Sequence, residues 1–275
     1  MTLHTKAAVD SSPPLPAGTE GRVHTPPRMS GDAVPDRFAG TSQVEIKVTI
    51  RAEQEMKTVR LLGLDRSTAE SREIYFFDTP QLACFGRNVV LRARLIEHGR
   101  DDSTVKIRPV DPARISPLWT RLEGFKLEAD VAGIKVVRSA SLTCSQKHGE
   151  IEDVAAGKRP LRKLFSSEQE RFLEVNALVA VPFDALRVLG PISVLRWQSR
   201  REGLPGELTA EEWRLPDGTD LLELSVKVDH KDAVRAQRKL AAFLAHAGLD
   251  HTGVQEAKTR IALEFFARQA TGVRA

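Results

Sequence analysis

The stretch QVEIKVTI, Gln43 to Ile50, separates into two surfaces. Val44, Ile46, Val48 and Ile50 point one way, and Gln43, Glu45, Lys47 and Thr49 point the other. A strand alternates its side chains with period two, so one face is apolar enough to seal a core while the other carries an acid beside a base.

The same parity recurs along the chain. In VVLRARLI, Leu91, Ala93 and Leu95 oppose Arg92 and Arg94; in TVKIRPV, Val105 and Ile107 oppose Lys106 and Arg108. In FKLEADV, Phe125, Leu127, Ala129 and Val131 oppose Lys126, Glu128 and Asp130. In LLELSVKV, Leu222, Leu224, Val226 and Val228 oppose Glu223, Ser225 and Lys227. One such strand describes the wet side of an open antiparallel sheet. The set describes more: same-side arginines repel unless an anion lies between them, and charged faces that converge inside a closed barrel need partners. A phosphate chain with a divalent cation satisfies both signs, the bases holding phosphate oxygens and the acids holding the metal.

Strands are predicted at Gln43 to Ile50, Arg72 to Asp78, Val89 to Ile96, Thr104 to Val110, Gly124 to Val131, Ser193 to Arg200, Glu211 to Leu215 and Leu221 to Val228. Helical periodicity covers Ala52 to Leu62, Leu161 to Leu178, His230 to Ala247 and Val254 to Arg268. Eight strands with polar connections predict a mostly antiparallel sheet. Residues 1–40 are rich in proline and lack apolar periodicity, which reads as a disordered tail before a single domain over 41–270.

The chain has 275 residues, 41% of them hydrophobic and 28% charged, ample for a buried core. A net charge of +4 is too small to argue for nucleic acid, and Trp119, Trp197 and Trp213 are too separated for a base-stacking platform. Cys84 and Cys144 form no CxxC motif, and no apolar run approaches the roughly 20 residues that span a bilayer, so a cytoplasmic protein without a membrane partner is expected. Scattered histidines, serines without a nearby base and the absence of a glycine-rich loop give no support to a catalytic histidine, a nucleophilic serine or a P-loop. The basic run KRPLRK, Lys158 to Lys163, reads as a solvated face, with a site for an anionic partner as the alternative.

The ordered set resembles the CYTH domains, or triphosphate tunnel metalloenzymes. It comprises Gln43-Glu45-Lys47 on the first strand, YFFDTPQL, the Arg92–Arg94 pair, TVKIR, FKLEADV, the WRLPDGTDLLELSVK hairpin and the late AKTRIALE. FSSEQERFL is closer to uncharacterised bacterial members. The resemblance implies an α+β fold, an eight-stranded antiparallel tunnel closed into a barrel with flanking helices, and divalent-metal-dependent hydrolysis of inorganic or organic triphosphate. It implies Mg²⁺ or Mn²⁺ on Glu45, Glu128 and Glu223, and catalytic work for Glu45 and Lys47. Substrate contacts fall to Arg92, Arg94, Lys106, Arg108, Lys126, Arg196 or Arg200, Lys227 and Lys258. The partner is a triphosphate-bearing small molecule or polyphosphate, and a homodimer is compatible with the pattern. Gln43 replaces the first acid and Ser225 a late one. That leaves a binding protein for polyphosphate or a phosphorylated metabolite as the alternative, with adenylate cyclase behind it.

Overall fold

The computed structural model describes residues 37–177, 180–249 and 257–270. Nine strands form a closed barrel: β1 (Gln43–Thr49), β2 (Glu70–Asp78), β3 (Val89–Ile96), β4 (Asp102–Ile107), β5 (Phe125–Ala132), β6 (Lys135–Ser145), β7 (Arg187–Arg200), β8 (Glu207–Arg214) and β9 (Asp220–Asp229). The order around the barrel is β1-β5-β6-β4-β3-β2-β7-β8-β9, and β9 pairs with β1 to close it.

Two expectations are corrected. The barrel has nine strands rather than eight, because Lys135–Ser145 pairs with both β4 and β5. It is also mixed, since β1 runs parallel to β5. Closure produces that parallel pair: antiparallel neighbours run round the barrel from β5 to β9 and on to β1, and an odd number of strands cannot close with every pair antiparallel.

The alternation seen in the sequence becomes an inside and an outside. Outward-facing Val44, Ile46, Val131, Leu224 and Val226 pack with Ala236, Leu240 and Leu244 of α4 (Ala233–His246) and with Leu62 of α1 (Ala52–Leu62). On the other side, Leu91, Val105, Ala140 and Leu142 meet Ile151 of α2 (Glu150–Ala155) and Phe172 and Leu173 of α3 (Ser167–Asn176).

Helix ends follow local chemistry. Gly63 ends α1 at φ +58° and donates its N–H to Arg60 and Val59 carbonyls, a left-handed cap that suits glycine. Ser166 and Gln169 form a capping box at α3, and Gln169 Nε2 also donates to the carbonyls of Ser103 and Leu142, fixing the helix to the barrel wall. The helix expected from Leu161 to Leu178 is therefore a 3-10 turn at Leu161–Leu164 followed by α3, interrupted where Ser166 caps.

The proline-rich tail falls largely outside the described residues. At its end, Arg37–Gly40 form a turn, Phe38 is buried in the outer core, and Arg37 donates to the Ile134 carbonyl. Among the described residues, no helix is long and apolar enough to cross a membrane.

Candidate functional site

The polar parity of the strands converges on a cavity of about 900 Å³ inside the barrel. Lys47, Arg92, Lys106, Arg108 and Lys258 line it, with Lys135, Arg138 and Arg260 at its edges. Against these eight cations stand three lining carboxylates, Asp130, Glu211 and Glu223. The excess of positive charge suits an anionic guest.

Asp130 is the hub. Its Oδ1 lies 3.2 Å from Lys47, and its Oδ2 lies 3.7 Å from Lys106 and 3.5 Å from Arg108. Burial works to raise its pKa, but Lys106, Lys47 and Arg108 outweigh burial and hold the carboxyl well below the usual range. Lys47 also pairs with Glu45 at 3.2 Å. Burial alone would lower the Lys47 pKa; Asp130 and Glu45 instead drive it well above the ordinary lysine value, so this ammonium is a permanent charge. Glu45 is likewise pulled down by Lys47 against the effect of burial and stays ionised at neutral pH.

Arg92 is different. Its Nε is buried without a hydrogen-bond partner, and burial together with neighbouring Arg94 lowers its pKa to about 10. Lys106 is also lowered, chiefly by burial, with Asp130 opposing. These are cations held in place with less negative charge than they need.

At the other side of the cavity, Lys258 of α5 (Lys258–Ala270) reaches Glu211 at 2.8 Å and Glu223 at 3.3 Å. The apolar side of α5, through Ala262, Leu263, Phe265 and Phe266, packs on Ile74, Phe76, Ile192, Val194 and Trp213. Phe76 is the direct cross-strand partner of Arg92, so this apolar wall belongs to the barrel interior. Phe76, Phe85, Val90 and Trp213 give the cavity an apolar end.

The other expected residues are dispersed. Arg94 has inward parity but is clamped by Asp102 in a two-point bond of 3.0 and 2.6 Å. Lys227 bonds Glu128 at 2.9 Å. Arg196 lies 3.7 Å from Glu211, whereas Lys126 is exposed. Arg200 is not brought to the site: four residues beyond Arg196, its side chain is 91% exposed and faces Glu207.

The three carboxylates expected to share a metal do not converge. Glu45 pairs in register with Lys227, and Glu223 pairs with Thr49, four residues further along β1. At about 3.3 Å per residue, that puts them on the order of 13 Å apart along the wall. Among the described residues, no three His, Cys, Asp or Glu side chains gather as a cation cage.

Sequence reasoning missed Asp130 as the hub and Glu211 altogether. Asp130 already shared the parity of Lys126 and Glu128. Glu211 was placed at the first position of its strand, whereas β8 begins at Glu207 and sets Glu211 directly opposite Glu223.

No family model and no curated protein matches the chain. Among solved structures, a candidate adenylate cyclase from Bacillus halodurans aligns with a TM-score of 0.55 and 14% identity, over 80% of this chain and 97% of its own. A candidate adenylyl cyclase from Hippeastrum, for which a dominant triphosphatase activity is given, aligns with a TM-score of 0.57 and 17% identity, over 82% of this chain and 96% of its own. The chain shares its fold with these two structures. At these identities the likeness concerns architecture, and the chemistry of the barrel rests with its own side chains.

Proposed function

We propose that the tunnel binds a triphosphate and, with a divalent metal, hydrolyses its phosphoanhydride bond. The observation that carries this reading is the buried, unpartnered Arg92 Nε on a cavity that Lys47, Lys106, Arg108 and Lys258 also line. A buried guanidinium N–H without an acceptor is costly to fold, and a phosphate oxygen that completes its bond offsets that cost.

In this reading Lys47, Arg92, Lys106 and Arg108 hold the phosphate oxygens, which join Asp130 as counter-charges to these cations. Lys47 stays protonated throughout, so it stabilises developing negative charge and does not transfer a proton. Glu45, ionised and 3.2 Å from Lys47, is an acceptor able to orient water.

The acids fit Mg²⁺ or Mn²⁺ in a limited way. Mg²⁺ is commonly held by one or two carboxylates with substrate phosphates completing its shell, and the cross-strand pair Glu211–Glu223 meets that requirement. When bound there, the metal would position and activate water for attack on phosphorus.

The alternative, a protein that binds polyphosphate or a phosphorylated metabolite without turning it over, is favoured by a separate observation. Glu45, Glu128, Asp130, Glu211 and Glu223 each lie within ion-pair distance of a lysine. Gln43 and Ser225 carry no charge where the resemblance implies acids. Phosphate release from tripolyphosphate, thiamine triphosphate and ATP with Mg²⁺, Mn²⁺ or chelator decides the matter. Metal-dependent release supports hydrolysis, tight binding without release supports the binding protein, and cyclic AMP formed from ATP supports a cyclase that uses the apolar end of the cavity.

A further inference from the structure

Glu211 on β8 and Glu223 on β9 are direct cross-strand partners, which sets their Cβ atoms about 5 Å apart on one face. Two carboxylates so placed repel. Lys258 joins them: its Nζ lies 2.8 Å from Glu211 Oε2, 3.3 Å from Glu223 Oε1 and 4.7 Å from the centre of the Trp213 ring. Burial would raise the Glu211 pKa, yet Lys258 outweighs it and holds this acid well below the usual range, so Glu211 stays ionised.

The lysine does not come from the barrel wall. It is the first residue of α5, and Thr259 and Arg260 beside it also line the cavity. The ammonium that occupies the carboxylate pair therefore ends the flexible four-carbon side chain of a helix-terminal residue and can leave the pair by rotamer change while α5 stays packed on the barrel, whereas Lys47 and Lys106 project from the strands themselves and Arg108 directly follows β4. Arg196, 3.7 Å from Glu211 Oε1, is the further cation facing the pair from β7.

We propose that Lys258 is an internal cation occupying the Glu211–Glu223 pair in the ligand-free protein, and that a divalent metal binds the pair only when the ammonium leaves it. An ammonium and a divalent ion brought together on these oxygens would lie a few ångströms apart and repel strongly. Free metal then binds weakly. A triphosphate changes the balance by offering the ammonium phosphate oxygens within the same cavity, so metal and anion bind together. This coupling rests on the triphosphate reading above; the competition between Lys258 and metal does not.

The test begins without any phosphate compound. Calorimetric titration with Mn²⁺ compares the wild type with Lys258→Met. Removing the ammonium is expected to tighten Mn²⁺ binding by about tenfold or more. Equal or weaker binding overturns the proposal. Lys258→Gln, which keeps a donor beside both carboxylates, serves the same comparison if the methionine variant does not fold.

A second readout uses the wild type. The Trp213 emission, taken as the difference from Trp213→Phe, should stay constant with Mg²⁺ alone and shift when tripolyphosphate is added with Mg²⁺. A full shift with Mg²⁺ alone overturns the coupling. Absence of any tripolyphosphate binding would sink the triphosphate reading while leaving the Mn²⁺ comparison to decide the role of Lys258.

Discussion

Lys47 Nζ and Asp130 Oδ1 lie 3.2 Å apart on the cavity wall, and the same carboxylate also faces Lys106 and Arg108. The ligand-free tunnel thus holds an anion of its own where its cations cluster. Asp130→Asn removes that charge and leaves three half-buried cations short of compensation. It should cost about 3–5 kcal/mol of stability. Tripolyphosphate should restore much of the loss and raise the melting temperature of the variant more than that of the wild type, because the guest supplies the missing charge. A variant as stable as the wild type, with an unchanged response to tripolyphosphate, would show that Asp130 does not hold the array.

The acid limb of stability follows from the same groups. Asp130, Glu45 and Glu211 all have carboxyls held below their ordinary values of 3.8, 4.5 and 4.5. Their contribution is present above those values and is lost as pH falls through them toward the lower folded values. Stability should therefore decline from about pH 4.5 downward, and more gently in Asp130→Asn once its lower starting point is subtracted. Urea melts from pH 7 to pH 3 measure both slopes.

Arg92 should separate binding from stability. Its Nε is buried and unpartnered, and neighbouring Arg94 disfavours its charge. Arg92→Met removes a strained cation and keeps most of the volume, so the ligand-free melting temperature should hold or rise. Tripolyphosphate affinity should fall by about tenfold to a hundredfold, which is about 1.4–2.8 kcal/mol. Loss of stability without loss of affinity would identify Arg92 as a structural group.

Phe38 lies within the span expected as a disordered tail but packs in the barrel's outer core. It is 4% exposed in the outer core, and its carbonyl accepts from both the backbone N–H and hydroxyl of Thr41. Phe38→Ala should cost about 3–5 kcal/mol, the range for a buried phenylalanine. A change below about 1 kcal/mol would place Phe38 with the tail, as proline content alone suggested.

Legibility in the sequence tracked side-chain contrast. QVEIKVT and VVLRARLI alternate large apolar groups with charges, and both are strands with the expected inward and outward sets. The segment KVVRSASLTCS of β6 hides the same alternation. Ser139, Ala140 and Ser141 are small and give little contrast, Val137 has inward parity beside Asp130 while Arg138 has outward parity beside Ala129, against the polar-in pattern, and alanine is a poor strand former. Cross-strand relations were less visible still. That Glu211 opposes Glu223, or that Asp130 sits among Lys47, Lys106 and Arg108, depends on register and closure, which no single strand encodes.

The two uncharged departures, Gln43 and Ser225, should respond unequally to restoration. Gln43 stands beside Glu128 in the parallel register with β5 and opposite Asp229 on β9, so Gln43→Glu adds an acid among acids. Like charges opposite one another on a sheet are destabilising, and the change should lower the melting temperature while improving metal binding little. Ser225 stands opposite Lys47 and two residues from Glu223 on the same face, about 7 Å away along β9. Ser225→Glu therefore places a new carboxylate against a permanent ammonium and within bridging reach of the Glu211–Glu223 pair. It should raise Mn²⁺ affinity in the presence of tripolyphosphate by about tenfold and, if the tunnel hydrolyses its guest, increase phosphate release with it. Calorimetry and phosphate release on the two variants provide the comparison. If Gln43→Glu gives the larger gain, the metal lies nearer Glu45 and Glu128 than the Glu211–Glu223 pair, and the assignment of the divalent cation moves to that end of the barrel.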